Sequence, residues 1–480
     1  DLTGLAVNKA YYYRIRYRSA GSGGTFLSGP EHTFHTPRLE GSSFTFAIEA
    51  DPHLDTNSLP EAYALTLQNI LAQKPDFMFD LGDTFMSEKQ TEKTQAVITG
   101  RHVLFRPYFG SVCHSAPLFL VLGNHEGELG WGLDGTPNSL AVMATNTRKL
   151  YYPNPLPNSF YTGNTKEEPF VGLRENYYAF TWGDALFVVL DPYWYTPKKP
   201  DWNWTLGSDQ YTWCKKTLSE SRAKYKFVFC HNLVGGNTGD ARGGVEFAGL
   251  FEWGGNNADG SYGWDTYRPT WEKPIHTLMK ENHVTAFFHG HDHFFGKQEK
   301  DGIVYQEVPQ PSNKNITNLQ ASEYGYVNGA FLPGRGFLKV TVSPENVQVD
   351  YIRTYLPSEE NASRKNGENA YSYTVKSIVT GIGPDVEKPG PLQLEQNFPN
   401  PFEQGTTIRY SINEKAPVEL NVFDIFGRKV AQLVDQTQDA GTYSVYLNAP
   451  SCSLSSGMYY CRLRSGNYSK CIKIIYSAAK

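Results

Sequence analysis

Five short segments of this chain bring imidazole together with carboxylate or carboxamide groups. They are Asp51-Pro52-His53, Gly82-Asp83, Gly123-Asn124-His125-Glu126, His231 and Gly290-His291-Asp292-His293. Such side chains bind zinc, manganese, iron and similar ions. No thiolate accompanies them, so a cysteine-rich structural zinc site is not indicated. Each segment alone carries little, because Asp-x-His recurs by chance and a lone histidine more often packs in a core. Their placement carries more. Each follows directly on an apolar run that reads as a strand, at 44–48, 77–81, 118–122, 227–230 and 284–288. All five then fall at the carboxyl ends of strands, where α/β sheets place ligands. One bridging carboxylate with three ligands on each side would hold two ions about 3.5–4 Å apart, the spacing of two-metal hydrolases.

The elements that must position these groups alternate strand runs with helical patterns over residues 39–380, an α/β layout. A helix is predicted from about Pro60 to Gln73, with Ser58 as its cap and Pro60 in its first turn. Its core stripe would be Ala64, Leu67, Ile70 and Leu71. Eight of the nine tryptophans lie between Thr181 and Trp271 among many glycines and asparagines, which predicts aromatic loops at a substrate rim. Core packing is the commoner use of tryptophan. Residues 1–38 carry two strand runs, 11–17 and 32–36, around a Gly/Ser turn. Residues 381–391 read as a linker, and 392–480 carry short alternating strands at the spacing of a β-sandwich. Within that last segment a two-residue turn at Gly466-Asn467 pairs Cys461 with Ile472 and Tyr459 with Ile474, keeping Cys461 away from Cys471.

Composition bounds the function. A chain of 480 residues is a prior of about three domains. Its net charge of −5 offers no basic field for coating a nucleic acid, while leaving room for a small phosphate substrate neutralised by metal. With 14% aromatic residues it is not a disordered chain. No apolar run approaches the roughly 20 residues of a transmembrane helix. Six cysteines are too few for a disulfide scaffold. The chain opens at Asp1 without a signal-peptide pattern, as a mature form or a fragment would.

In combination and in order, the five motif blocks resemble the calcineurin-like metallophosphoesterase superfamily across about residues 44–295. The resemblance implies an α/β/β/α sandwich. It implies Asp51, His53 and His293 on one ion, Asn124, His231 and His291 on a second, and Asp83 bridging. His125 would face the substrate as general acid. The ions would be divalent or trivalent (iron, manganese or zinc), and the reaction would be attack of an ion-bridging hydroxide on a phosphate ester. Two departures narrow the family. Met86 stands where purple acid phosphatases carry a tyrosine ligand, and those enzymes lack the histidine that is His53 here. The stretch Thr84 to Glu88 lacks the Asp and Arg of protein Ser/Thr phosphatases, which disfavours a protein substrate and leaves His125 without an identified partner. Arg242 is either a clamp for a phosphate oxygen or a surface arginine. His289 could stand behind the ligands, but strand alternation favours a packed or solvent-facing histidine, and Glu126 reads as an orienting group without chemistry.

Two further resemblances concern the ends. Residues 1–38 are similar to the last two strands of a fibronectin type III-like domain, as found before the catalytic domain of purple acid phosphatases; the alternative is a hairpin packed on the α/β domain. Residues 392–480, with Gln396-Asn397-Phe398-Pro399-Asn400-Pro401-Phe402 and Val422 to Arg428, resemble the type A C-terminal sorting domain of type IX secretion. A carbohydrate- or partner-binding sandwich is the alternative there. The implied protein is a phosphoesterase, secreted or held at the surface of a Gram-negative bacterium. It would engage the secretion machinery through its C-terminal domain and act on small phosphate esters, monoesters by analogy. Its rivals are a phosphodiesterase or nucleotidase on the same scaffold, and a non-catalytic surface binding protein.

Overall fold

A computed structural model describes residues 4–21, 23–237, 240–376, 392–412, 415–425, 427–465 and 468–478. The predicted linker 381–391 and the turn Gly466-Asn467 lie outside the described residues. The chain divides into two compact units, Asp1–Val379 and Thr380–Lys480.

In the first unit the apolar runs form two sheets. The six-stranded sheet runs Asn369–Lys376, Asn346–Arg353, Gly336–Val342, Phe44–Glu49, Phe77–Asp80, Leu118–Leu120. The eight-stranded sheet runs Ala330–Leu332, Phe295–Lys300, Ile303–Glu307, Ala286–His289, Tyr225–Phe229, Ala185–Val189, Tyr178–Trp182, Thr162–Gly163. The last three strands of the first sheet are parallel, as are Ala185–Val189, Tyr225–Phe229, Ala286–His289 and Ile303–Glu307 in the second. Strands this uniformly apolar are buried on both faces. Between the sheets lies an aromatic core in which Phe79 stacks on Phe229 at 4.1 Å and Phe46 meets Phe187 edge-on at 5.2 Å. Helices Pro60–Ala72 and Gln95–Cys113 cover the outer face of the first sheet through Tyr63, Leu67, Phe105 and Phe109. Ser208–Glu220 and Ile275–Glu281 cover the second through Cys214, Leu218 and Met279. The result is the expected α/β/β/α sandwich.

Three expectations need correction. Leu59, not Ser58, flanks the first helix, and no side chain caps it. The Ser58 hydroxyl is instead satisfied by Asp55, 3.1 Å away, a carboxylate acceptor that is present whether or not the helix forms. That helix buries Ala62, Tyr63, Thr66, Leu67 and Ile70, so the stripe is rotated from the predicted one, and Ala64 and Leu71 are only half-buried. Nor do the tryptophans between 181 and 271 form a rim: Trp182, Trp194, Trp202, Trp204, Trp253 and Trp264 are buried, because indole area stabilises most when fully desolvated.

At the amino end, Ala10–Tyr17 and Leu27–His35 pair as an antiparallel ribbon. The Tyr13 hydroxyl donates to the His114 carbonyl at 2.6 Å, and His32 stacks on His114 at 4.1 Å. The ribbon is thus docked on the segment just after the second helix.

The second unit holds a three-stranded sheet (Leu392–Leu394, Gly405–Ile412, Gly441–Asn448) and a four-stranded one (Lys429–Gln438, Ala416–Phe423, Gly457–Ser465, Tyr468–Tyr476) over one core. Cys461 pairs with Ile472 and Tyr459 with Ile474, the predicted register, and both Cys461 and Cys471 are free.

Candidate metal centre

Three strand ends of the first sheet deliver Asp51 and His53, Asp83, and Asn124 with His125. Two strand ends of the second deliver His231, and His291 with His293. All of the predicted ligand positions therefore converge where the two sheets meet. The backbone turns sharply to aim them: φ is +59° at Asp51, +51° at His53, +55° at Asp83, +81° at His291 and +68° at His293. Left-handed conformations at such residues cost about 1–3 kcal/mol each and persist only where surroundings enforce them. The enforcement is visible. A Cβ on Gly123 would lie 2.3 Å from the Asp83 amide nitrogen, so only glycine lets these two loops touch. Glu126 ties them together, accepting from the amides of Gly123, Asp83 (3.0 Å) and Thr84 (2.6 Å). It has the orienting role expected of it.

Asp51, His53 and His293 form one group able to hold an ion, and Asp83, His231 and His291 a second. In the first, Asp51 Oδ1 lies 3.6 Å from His53 Nε2 and 3.5 Å from His293 Nε2. In the second, His231 Nε2 lies 3.3 Å from Asp83 Oδ2 and 3.2 Å from His291 Nδ1. Asp83 Oδ2 is also 3.9 Å from His53 Nε2, so it faces both groups. Outer hydrogen bonds fix the tautomers. His231 Nδ1–H donates to the Leu81 carbonyl at 2.8 Å and His291 Nε2–H to the Asp240 carbonyl at 2.7 Å, leaving the other nitrogen of each toward the cluster.

The residues fit a pair of ions. Among the described residues, buried Asp51 Oδ1, His53 Nε2 and Asn124 Oδ1 make no hydrogen bond, an expensive arrangement unless a cation completes it. The electrostatics agree. Burial disfavours charge on His53 and His231, yet the surrounding carboxylates outweigh it and push them up to about 9 and about 10. The Asn124 amide nitrogen lies against the His125 ring, 3.1 Å from Nε2.

His125 stands beside the clusters, with Nε2 3.9 Å from Asp83 Oδ2. Its Nδ1 is 2.9 Å from Glu88 Oε2, which supplies the orienting partner the sequence left unidentified. Arg242 is no free surface group. Its Nη1 donates to the His291 carbonyl (2.8 Å) and to Asp292 Oδ1 (2.7 Å), and its guanidinium lies over Tyr324 at 4.4 Å. With Asn124, His125, Trp131, Lys89 and Lys199 it lines a cavity of about 290 Å³. His289 is packed against Phe287 with Nδ1 toward Glu307, which selects the packed alternative over the solvent-facing one. Met86 is buried.

The calcineurin-like phosphoesterase family profile matches residues 44–295, and a secretion system C-terminal sorting domain matches 396–477. No curated protein sequence matches the chain. Among solved structures, PhoD superposes with a TM-score of 0.54 at 17% identity, covering 78% of this chain and 76% of its own. A purple acid phosphatase isolated from yellow lupin (Lupinus luteus) seeds gives 0.51 at 16% identity, covering 78% of this chain and 61% of its own. Both likenesses concern the fold. The profile spans more than half the chain and contains every residue of the two clusters, so the chain belongs to the calcineurin-like phosphoesterase family, hydrolases of phosphoric esters.

Proposed function

We propose that this chain is a secreted dinuclear-metal phosphoesterase acting on phosphomonoesters, with Asp51, His53 and His293 holding one ion, Asn124, His231 and His291 the other, and Asp83 both. The observation that carries the reading is the pair of three-ligand groups sharing one face of Asp83, with a carboxylate-held histidine at their edge. The nitrogen and oxygen donors suit iron, manganese or zinc. When bound, such a pair acidifies water for attack and neutralises charge on the phosphoryl oxygens. The chain's own groups do the rest. Glu88 holds His125 by Nδ1, so that Nε2 can carry a proton to the leaving oxygen. Arg242, braced by Asp292, stands at the cavity wall to meet a phosphoryl oxygen. The sorting-domain match supports export from a Gram-negative cell. We assign 1–38 as a strand pair docked on the catalytic domain and similar to the closing strands of a fibronectin-like domain, 39–380 as catalytic, 381–391 as linker and 392–480 as the sorting domain.

Turnover of p-nitrophenyl phosphate against its bis ester tests the substrate class, with faster monoester hydrolysis expected. Asp83→Asn should lower metal content at both sites and abolish turnover; full metal content with full activity rejects the reading.

A further inference from the structure

We infer that the cavity beside His125 receives the leaving group of the substrate, and that Lys199 makes it select leaving groups carrying a second anion. The inference rests on the proposed function and names the substrate class more closely.

The cavity is walled on one side by Asn124, His125 and His291. A group attached to the oxygen that His125 serves must therefore extend into it. Its volume of about 290 Å³ sits at the small end of ligand cavities. That suits one ring and a substituent, not a polymer.

Its charge is the unusual feature. Lys89, Lys199 and Arg242 face two carboxylates, Glu88 and Asp240. Glu88 is committed to His125, and Arg242 is anchored at Asp292 and at the backbone of His291. A single phosphoryl group, met by two ions and Arg242, has no need of the lysines. Lys199 is held for a different contact. Its ammonium lies over the indoles of Trp131 at 5.3 Å and Trp204 at 5.5 Å, whose ring faces favour a cation there. Among the described residues its carboxylate partner is Asp240 at 3.0 Å, which is 69% exposed. An ion pair so open to water contributes little, so an incoming anion can replace it at small cost. Asp240 also accepts from His291 through its backbone carbonyl, which places Lys199 at a fixed offset from the second cluster. Trp131 adds an indole to the same wall and favours a flat leaving group.

The ligand chemistry is thus a phosphate ester whose leaving group bears a carboxylate or a second phosphate. The test compares 4-carboxyphenyl phosphate with 4-carbamoylphenyl phosphate, which differ in charge and little in shape, on the manganese-loaded full chain. Phenylene 1,4-bisphosphate is the arm that separates phosphate from carboxylate. Unaltered protein should prefer the charged ester about tenfold in kcat/KM, the scale of a hydrogen bond to a charged group. Lys199→Met should bring the ratio near one, and Lys199→Arg should restore it. Binding of 4-carboxybenzylphosphonate against its carboxamide, by calorimetry, reads the same preference without turnover. Equal rates and equal binding in the unaltered protein overturn the inference, as does a preference that survives Lys199→Met. If no ester is hydrolysed yet the phosphonate pair is distinguished, the hydrolase reading fails while the pocket assignment stands.

Discussion

His125 is held from both ends. Its backbone amide donates to Asp83 Oδ1 at 2.6 Å and its Nδ1 meets Glu88 at 2.9 Å. A group fixed in this way and left out of both clusters is suited to proton transfer, whose value depends on how badly the leaving oxygen needs the proton. His125→Ala should keep both ions and lose about 10²–10⁴-fold on an alkyl phosphate, with a clearly smaller loss on p-nitrophenyl phosphate. Glu88→Gln should show the same contrast with smaller losses. Equal losses on both esters, accompanied by metal depletion, would mean that the histidine only braces the loop. The residue types of the two clusters were legible in sequence because imidazole and carboxylate recur, in order, at the ends of five strands. Glu88 was not, since its meeting with His125 depends on how the loop after Asp83 folds back. The sole hint was a carboxylate lying in that loop. For Arg242 the sequence left a phosphate clamp and a surface group open, and its anchorage at Asp292 could not be read.

The sharpest constraint at the scale of elements is the contact between the loops of Gly82-Asp83 and Gly123-Asn124. A methyl group on Gly123 would meet Asp83 Oδ1 at 2.4 Å and Glu126 Oε2 at 2.7 Å as well as backbone. Gly123→Ala should therefore cost about 1–3 kcal/mol of stability and displace Asp83. Thermal unfolding together with metal analysis checks both effects, and a variant with unchanged midpoint and unchanged metal would show the contact to be slack. Strands were legible because a buried parallel strand is a continuous apolar run. The pairing of Cys461 with Ile472 was legible because a slip of one residue would turn every apolar side chain outward. The cap at Ser58 was misread because Asp55 competes for the same hydroxyl. The tryptophans were misread because indoles in irregular segments pack as readily as indoles in strands, and the one at the cavity, Trp131, stands outside the cluster that drew notice.

On the scale of the whole molecule, the chain is two compact units, and each has its own core. A protein ending near residue 380 should keep its turnover on soluble substrate and fail to reach the cell exterior. A folded, inactive truncation would instead give the C-terminal unit a part in substrate binding. Within the first unit, the groups that gather at the clusters come from the carboxyl ends of strands in both sheets. An ion there acts as a rivet between layers that are otherwise joined by aromatic packing. The folded state alone assembles the ligands, so occupancy adds RT ln(1 + [ion]/Kd) to stability, about 2.7 kcal/mol at a hundredfold excess over Kd. Melting temperature should fall on chelation and climb with the logarithm of free metal after readdition, without reaching a plateau. The heat resistance of this protein is then a gauge of the metal in its surroundings.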